Sequence, residues 1–229
     1  MEPLFDGYGE TYDEAMKKSI GFMGQNHDYY TSAKVAHILD VLRRRPGAPR
    51  NLRVLDIGCG VGKTDRFLVP DLGALTGVDV SPASIERARR ENPQVRYEVY
   101  DGKTLPFAEA SFDAAFLICV LHHVRPEERG ALLSEARRTL KPGGVLLVFE
   151  HNPFNPLTRL AVARCAFDRD AQLLSRRLSA RLLAAAGLPV FEKRYILVSP
   201  FAFKGAAWIE RRFRQAPLGA QYYVGGQKP

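Results

Sequence analysis

Three glycines and three acids carry the first chemical signal. Gly58, Gly60 and Gly62 alternate in "VLDIGCGVG", residues 54–62, and Asp56 stands two residues before the first of them. A backbone that turns sharply, or lets a ligand approach closely, needs glycine at such density. Asp79 follows 17 residues beyond Gly62, and Asp101 directly precedes Gly102. Acids at successive strand ends beside a glycine loop suit an adenosine cofactor, with Asp79 accepting from the ribose hydroxyls and Asp101 from the adenine amino group. Asp101 also reads as the first residue of an Asp-Gly turn. Nicotinamide dinucleotides place a pyrophosphate at such a loop. Asp56 would sit badly against one. It fits a cofactor whose nearby portion is cationic, a sulfonium and an ammonium. Cys59, between two glycines, reads as a small residue that fits the loop rather than as a nucleophile.

These residues need a scaffold that brings strand ends together. Apolar stretches at 52–57, 73–80, 94–100, 111–120 and 145–150 read as strands, with "KPGG" turning into the fifth. Helical patterns at 28–45, 82–92 and 126–140 alternate with them. In the first, Val35, Ile38, Leu39 and Leu42 share one face. Ser81 is the expected N-cap of the second, with Pro82 in its first turn. Such alternation predicts an α/β, Rossmann-like doubly wound sheet with helices on both faces. Ligands bind such a sheet at the carboxyl ends of the strands. Beyond residue 151 the rhythm loosens. Pro153 and Pro156 argue against a regular strand or helix start in an insertion at 151–170. A helix at 175–186 ends at Gly187, and a second insertion at 200–216 carries Trp208. Stretches 190–198 and 218–226 are too closely spaced for a long crossover helix, so an antiparallel pair at the sheet edge is expected.

The order and spacing of "VLDIGCGVG", "GVDVSPASIERAR", "VYDGKTLPF", "SFDAAFLICVLHHV" and "LKPGGVLLVFE" resemble the motifs of class I S-adenosylmethionine-dependent methyltransferases, of the small type 11/12 kind. The resemblance covers roughly residues 51–150, and "FEHNPFNPLTR" and "PLGAQYYV" look like a bacterial subfamily of them. It implies a seven-stranded sheet with an antiparallel seventh strand, S-adenosylmethionine as cofactor and S-adenosylhomocysteine as product. It places Asp56, Gly58, Cys59 and Gly60 under the methionine part, Asp79 and Val80 at the ribose, and Asp101 and Gly102 at the adenine. The backbone at Cys119 and Val120 would face the ammonium, with Thr104 and Leu105 as further adenine neighbours. The whole chain, 1–229, is then one domain: a helical lid at 1–50, the cofactor core at 51–150, and a C-terminal half with substrate-pocket insertions.

Methyl transfer from a sulfonium is an in-line displacement that calls mainly for alignment and a dry pocket, and it requires no metal. None of the five histidines shows ligand spacing to a Cys, His or Asp cluster. A hydroxyl or carbon acid acceptor also needs a base. His151, just after the fifth strand and next to Glu150, which is expected to orient it, is one candidate, and His123 is the other. Each also reads as a structural residue, His151 in a proline turn and His123 at a helix start. His27, Tyr29, Tyr30, His122 and Tyr222 are candidates for the acceptor pocket, with Tyr223 as a further wall, and each aromatic reads equally as packing.

The chain has 229 residues, 46% of them hydrophobic, and a net charge of +8. That suits one soluble α/β domain, with an expected cytoplasmic location, no membrane segment and a monomer or homodimer. Cys59, Cys119 and Cys165 are odd in number and far apart, as in a reducing compartment. The positive charges are spread among glutamates rather than concentrated. The expected activity is methyl transfer to a small molecule. RNA or protein methylation is the alternative, and a cofactor-binding regulator without catalysis is a second.

Overall fold

The computed structural model describes residues 19, 27–168, 170–198, 208 and 212–229. The side chain of His27, and with it the expected acceptor contact, lies outside the described residues, as does most of the second insertion. Seven strands, β1 (Arg53–Ile57), β2 (Ala74–Asp79), β3 (Arg96–Val99), β4 (Phe112–Ile118), β5 (Leu140–His151), β6 (Val190–Ile196) and β7 (Gln221–Gln227), form one sheet in the order β3-β2-β1-β4-β5-β7-β6. The first five strands are parallel neighbours, and β7 runs antiparallel to both β5 and β6. The expected antiparallel pair is therefore present, with β7 wedged inside the sheet and β6 at the edge.

Residue alternation along the strands divides the core. Val54, Phe116, Leu147, Phe149 and Tyr223 face one side, where α1 (His27–Arg43) buries Val35, Ile38, Leu39 and Leu42. Helices α2 (Lys63–Leu68) and α3 (Pro82–Glu91) add Leu68, Ile85 and Ala88 there. Leu55, Ile57, Ala115, Leu117 and Val148 face the other side, against α4 (Arg129–Thr139) and α6 (Arg176–Ala185) through Leu132, Leu133, Ala136 and Leu183. Both faces of the sheet are thus closed, as near-continuous apolar strands require.

Two local expectations are corrected. Pro156 does not block a helix; it opens α5 (Pro156–Arg164), where its missing N–H costs nothing at a first-turn position. Asn155 caps that helix, its side chain accepting from Thr158 N at 3.1 Å. The "KPGG" turn does not precede the fifth strand but lies within it, because Leu140 already pairs with Phe112 before Val145 pairs with Ala114.

Candidate active site

The order reverses between β1 and β4, so the crevice opens there. Residues just beyond β1, β2, β3 and β4, and His151 at the end of β5, line one cavity of about 780 Å³. Helix α1 closes one side with Tyr30, Thr31 and Lys34, and α5 and its exit contribute Ala161 and Cys165.

The glycine loop is shaped by what surrounds it. Gly58 has φ +77°, and a Cβ there would lie 2.5 Å from Val120 Cγ2. Gly60 has φ +52°, and a Cβ there would meet nothing within 4 Å, so its open side faces the cavity. Asp79 fixes the loop: Oδ2 accepts from Gly60 N at 2.8 Å and Oδ1 from Ser81 N at 2.9 Å. Ser81 caps α3 by accepting from Ser84 N, as expected. Asp56 is buried, and its Oδ1 has no hydrogen-bond partner. Burial, then the neighbouring Asp65 carboxyl, pushes its pKa well up. Asp65, fully buried and accepting from Tyr97 Oη at 2.7 Å, is itself raised to about 6 by burial. Like charges this close share a proton at neutral pH. Burial and these carboxylates also push the Cys59 thiol well up, which agrees with its reading as a non-nucleophilic residue.

Just beyond β3 Asp101 takes the turn role. It is exposed, and its Oδ1 accepts from Lys103 N and Thr104 N at 2.8 and 2.7 Å. Tyr100 and Gly102 reach the cavity; exposed Thr104 and core-packed Leu105 do not. Cys119 lines the cavity with φ +58°, a strained conformation for a non-glycine residue, and its N–H is held by Phe149 O at 2.9 Å.

At the other end three histidines converge. Glu150 does not orient His151, because neighbouring strand residues point to opposite faces. Instead Glu150, fully buried, bonds His122 Nδ1 at 2.6 Å and accepts from Leu121 N at 2.8 Å. Burial opposes charge on both, but each holds the other ionised: His122 is raised and Glu150 lowered. His151 instead faces Gln221, with Nδ1 3.3 Å from its amide nitrogen, and burial lowers its pKa to about 4. His122 and His123 both point an Nε2 toward Asp168 Oδ1, at 3.5 and 3.3 Å. The fold thus assembles a His and Asp cluster that spacing in the chain did not show. Tyr222 does not reach the cavity: it is packed on the opposite face, its hydroxyl donating to Leu174 O at 2.8 Å. Tyr29 and Tyr223 pack against the core, and only Tyr30 of the expected tyrosines lines the cavity.

Lys34 and Gln221 were not legible as site residues. Lys34 is 6% exposed on α1 and lies near Cys119; among the described residues no carboxylate sits within ion-pair distance of it. Its buried position on an otherwise ordinary amphipathic helix was the one available signal.

Comparison with known proteins fits this geometry. Residues 54–144 match the model of a methyltransferase domain family. An uncharacterized methyltransferase of Synechocystis sp. is 34% identical over 146 residues, which cover 62% of this chain and 68% of that one. Quinone and sterol methyltransferases are matched over only 33% and 34% of their own lengths. A methyltransferase of Thermotoga maritima superposes with a TM-score of 0.70 at 21% identity, covering 99% of this chain and 98% of its own. The geranyl diphosphate C-methyltransferase of Streptomyces coelicolor, solved with S-adenosyl-L-homocysteine, superposes at 0.63 and 20% identity, over 86% and 79% of the two chains. Strand order, glycine loop and these relatives agree: the chain belongs to the class I S-adenosylmethionine-dependent methyltransferases.

Proposed function

We propose that this enzyme methylates a small-molecule acceptor held in the cavity beside the glycine loop. One observation carries the reading: a single cavity includes both Gly58–Gly60 and the histidine cluster, with α1 and α5 walling its sides. An acceptor enclosed in this way is small. The acceptor of the Streptomyces coelicolor neighbour, geranyl diphosphate, is of that kind.

The residues present fit S-adenosylmethionine. Asp56 and Asp65 form a buried acidic pair with an unsatisfied oxygen, which a cation would compensate. Lys34 is a buried cation that a carboxylate would compensate. The methionine end of the cofactor brings both charges. When bound, the cofactor supplies a methyl group on a sulfonium already activated for displacement. In this reading Asp79 and Val80 hold the ribose, while Tyr100 and Gly102, on either side of the Asp101 turn, border the adenine. The backbone at Cys119 and Val120 meets the ammonium, Lys34 takes the carboxylate, and α1 acts as a lid; residues 1–18 and 20–26 of the expected lid lie outside the described residues. His151, kept neutral by burial, accepts the acceptor's proton, and Gln221 orients it.

Two measurements test this. Labelled methyl transferred from S-adenosylmethionine into a cell extract should appear in the small, nuclease-resistant and protease-resistant fraction; label in RNA or protein overturns the reading. With the acceptor in hand, His151→Gln should lower kcat by ~100-fold or more while cofactor affinity holds, and wild-type turnover would remove it as the base.

A further inference from the structure

Methyl transfer as proposed leaves the His122, His123 and Asp168 cluster at the cavity without a role. We infer that His122 Nε2, His123 Nε2 and Asp168 Oδ1 form a site for a divalent transition metal of the zinc type, with its remaining coordination position open to the cavity. All three atoms lie within 4.8 Å of one another. The two histidine-to-carboxylate separations are 3.5 and 3.3 Å. Ligands bound at about 2.1 Å in a tetrahedral zinc site stand about 3.4 Å apart, the edge of the tetrahedron. The two histidine-to-carboxylate separations are edges of that size.

Three further observations point the same way. His122 is 1% exposed, and its Nε2 makes no hydrogen bond although it is aimed at Asp168. Its other nitrogen is bound by the buried Glu150 at 2.6 Å. That carboxylate–histidine arrangement fixes which nitrogen faces a metal and raises its basicity, and metal binding there releases to solvent the proton that the ionised His122 carries on Nε2. The backbone is also held in place without a metal. Arg129 donates to Leu121 O and Val124 O on the histidine turn and to Gln172 O beyond Asp168, and Gln172 N donates to His122 O. Two imidazoles with one carboxylate favour zinc, iron(II) or cobalt(II) over magnesium or calcium. The open position faces the space proposed for the acceptor, so the metal would polarise an acceptor oxygen. That role rests on the proposed function, whereas metal binding does not.

The test uses the full chain, stripped with a chelator and dialysed. Calorimetric titration with Zn²⁺ should give one site per chain. His123→Ala and Asp168→Ala should each weaken it by ~100-fold or more, and Glu150→Gln by ~10-fold or more. His37→Gln, which alters a histidine away from the cluster, should leave it unchanged. Thermal melting followed by circular dichroism shows whether each variant folds. Should the variants fail to fold, Co²⁺ added to the wild-type chain decides, because a four-coordinate site gives intense visible absorption and a hydrated ion does not. No Zn²⁺ binding by the wild-type chain, binding undiminished in both folded ligand variants, or the spectrum of hydrated Co²⁺ overturns the inference. S-adenosylhomocysteine binding measured on the same samples separates a failed metal site from a failed cofactor site.

Discussion

Asp79 binds two backbone amides, so its side chain both shapes the glycine loop and faces the cavity. Asp79→Ala should weaken S-adenosylmethionine binding by ~10-fold or more by calorimetry, since a charged, hydrogen-bonding group is lost. Unchanged affinity would put the ribose elsewhere. Lys34→Met separates function from stability. Removing a buried cation that has no carboxylate partner among the described residues should leave the melting temperature unchanged or higher, while cofactor affinity falls by ~10-fold. Equal affinity would remove Lys34 from the site. Residues of this scale were only partly legible in the sequence. Asp56 and Asp79 were visible because each stands near a strand end, one two residues before the glycine loop and the other 17 residues beyond it. Asp168 was not, since it lies 45 residues from His123 and reaches it only through the fold. Glu150 was misassigned for an opposite reason: adjacency in a strand separates side chains rather than joining them.

At the scale of elements, the strands and helices of the core could be read from apolar periodicity, with boundaries close to those observed. The region after β5 could not, because a proline reads both as a helix breaker and as a first-turn residue. What decides between them is Asn155, which caps α5 and also donates to Leu218 O at 2.8 Å, tying the helix to the segment before β7. Asn155→Ala should therefore cost about 1 kcal/mol and lower Tm by about 2–4 °C. A melting curve identical to wild type would show that the cap is dispensable.

For the whole molecule, part of the charge of +8 lies in a second groove, outside the cavity. The groove, of about 650 Å³, carries Arg177, Arg181, Lys193, Arg194 and Arg214. It follows β6 from Val190 to Arg194 at the edge of the sheet, and among the described residues it shares none with the lining of the cavity. Stability as a whole carries the mark of the acidic pair. A carboxyl raised to about 6 on folding stabilises the protein fully below its unfolded value near 4, and that contribution disappears as pH rises through about 6. Asp65→Asn should flatten this part of the Tm-against-pH curve for the cofactor-free protein; an unaltered curve would mean the pair does not share a proton. The position of β7 has one more consequence. Synthesis delivers β6 before β7, yet in the finished sheet β7 stands between β5 and β6. Until β7 arrives, both neighbours present open edges to the solvent and to each other. A nascent chain that joins β5 directly to β6 must come apart again before the sheet can be completed. The step that delivers Gln221 to the cavity is therefore also the one most exposed to misfolding and to capture by chaperones.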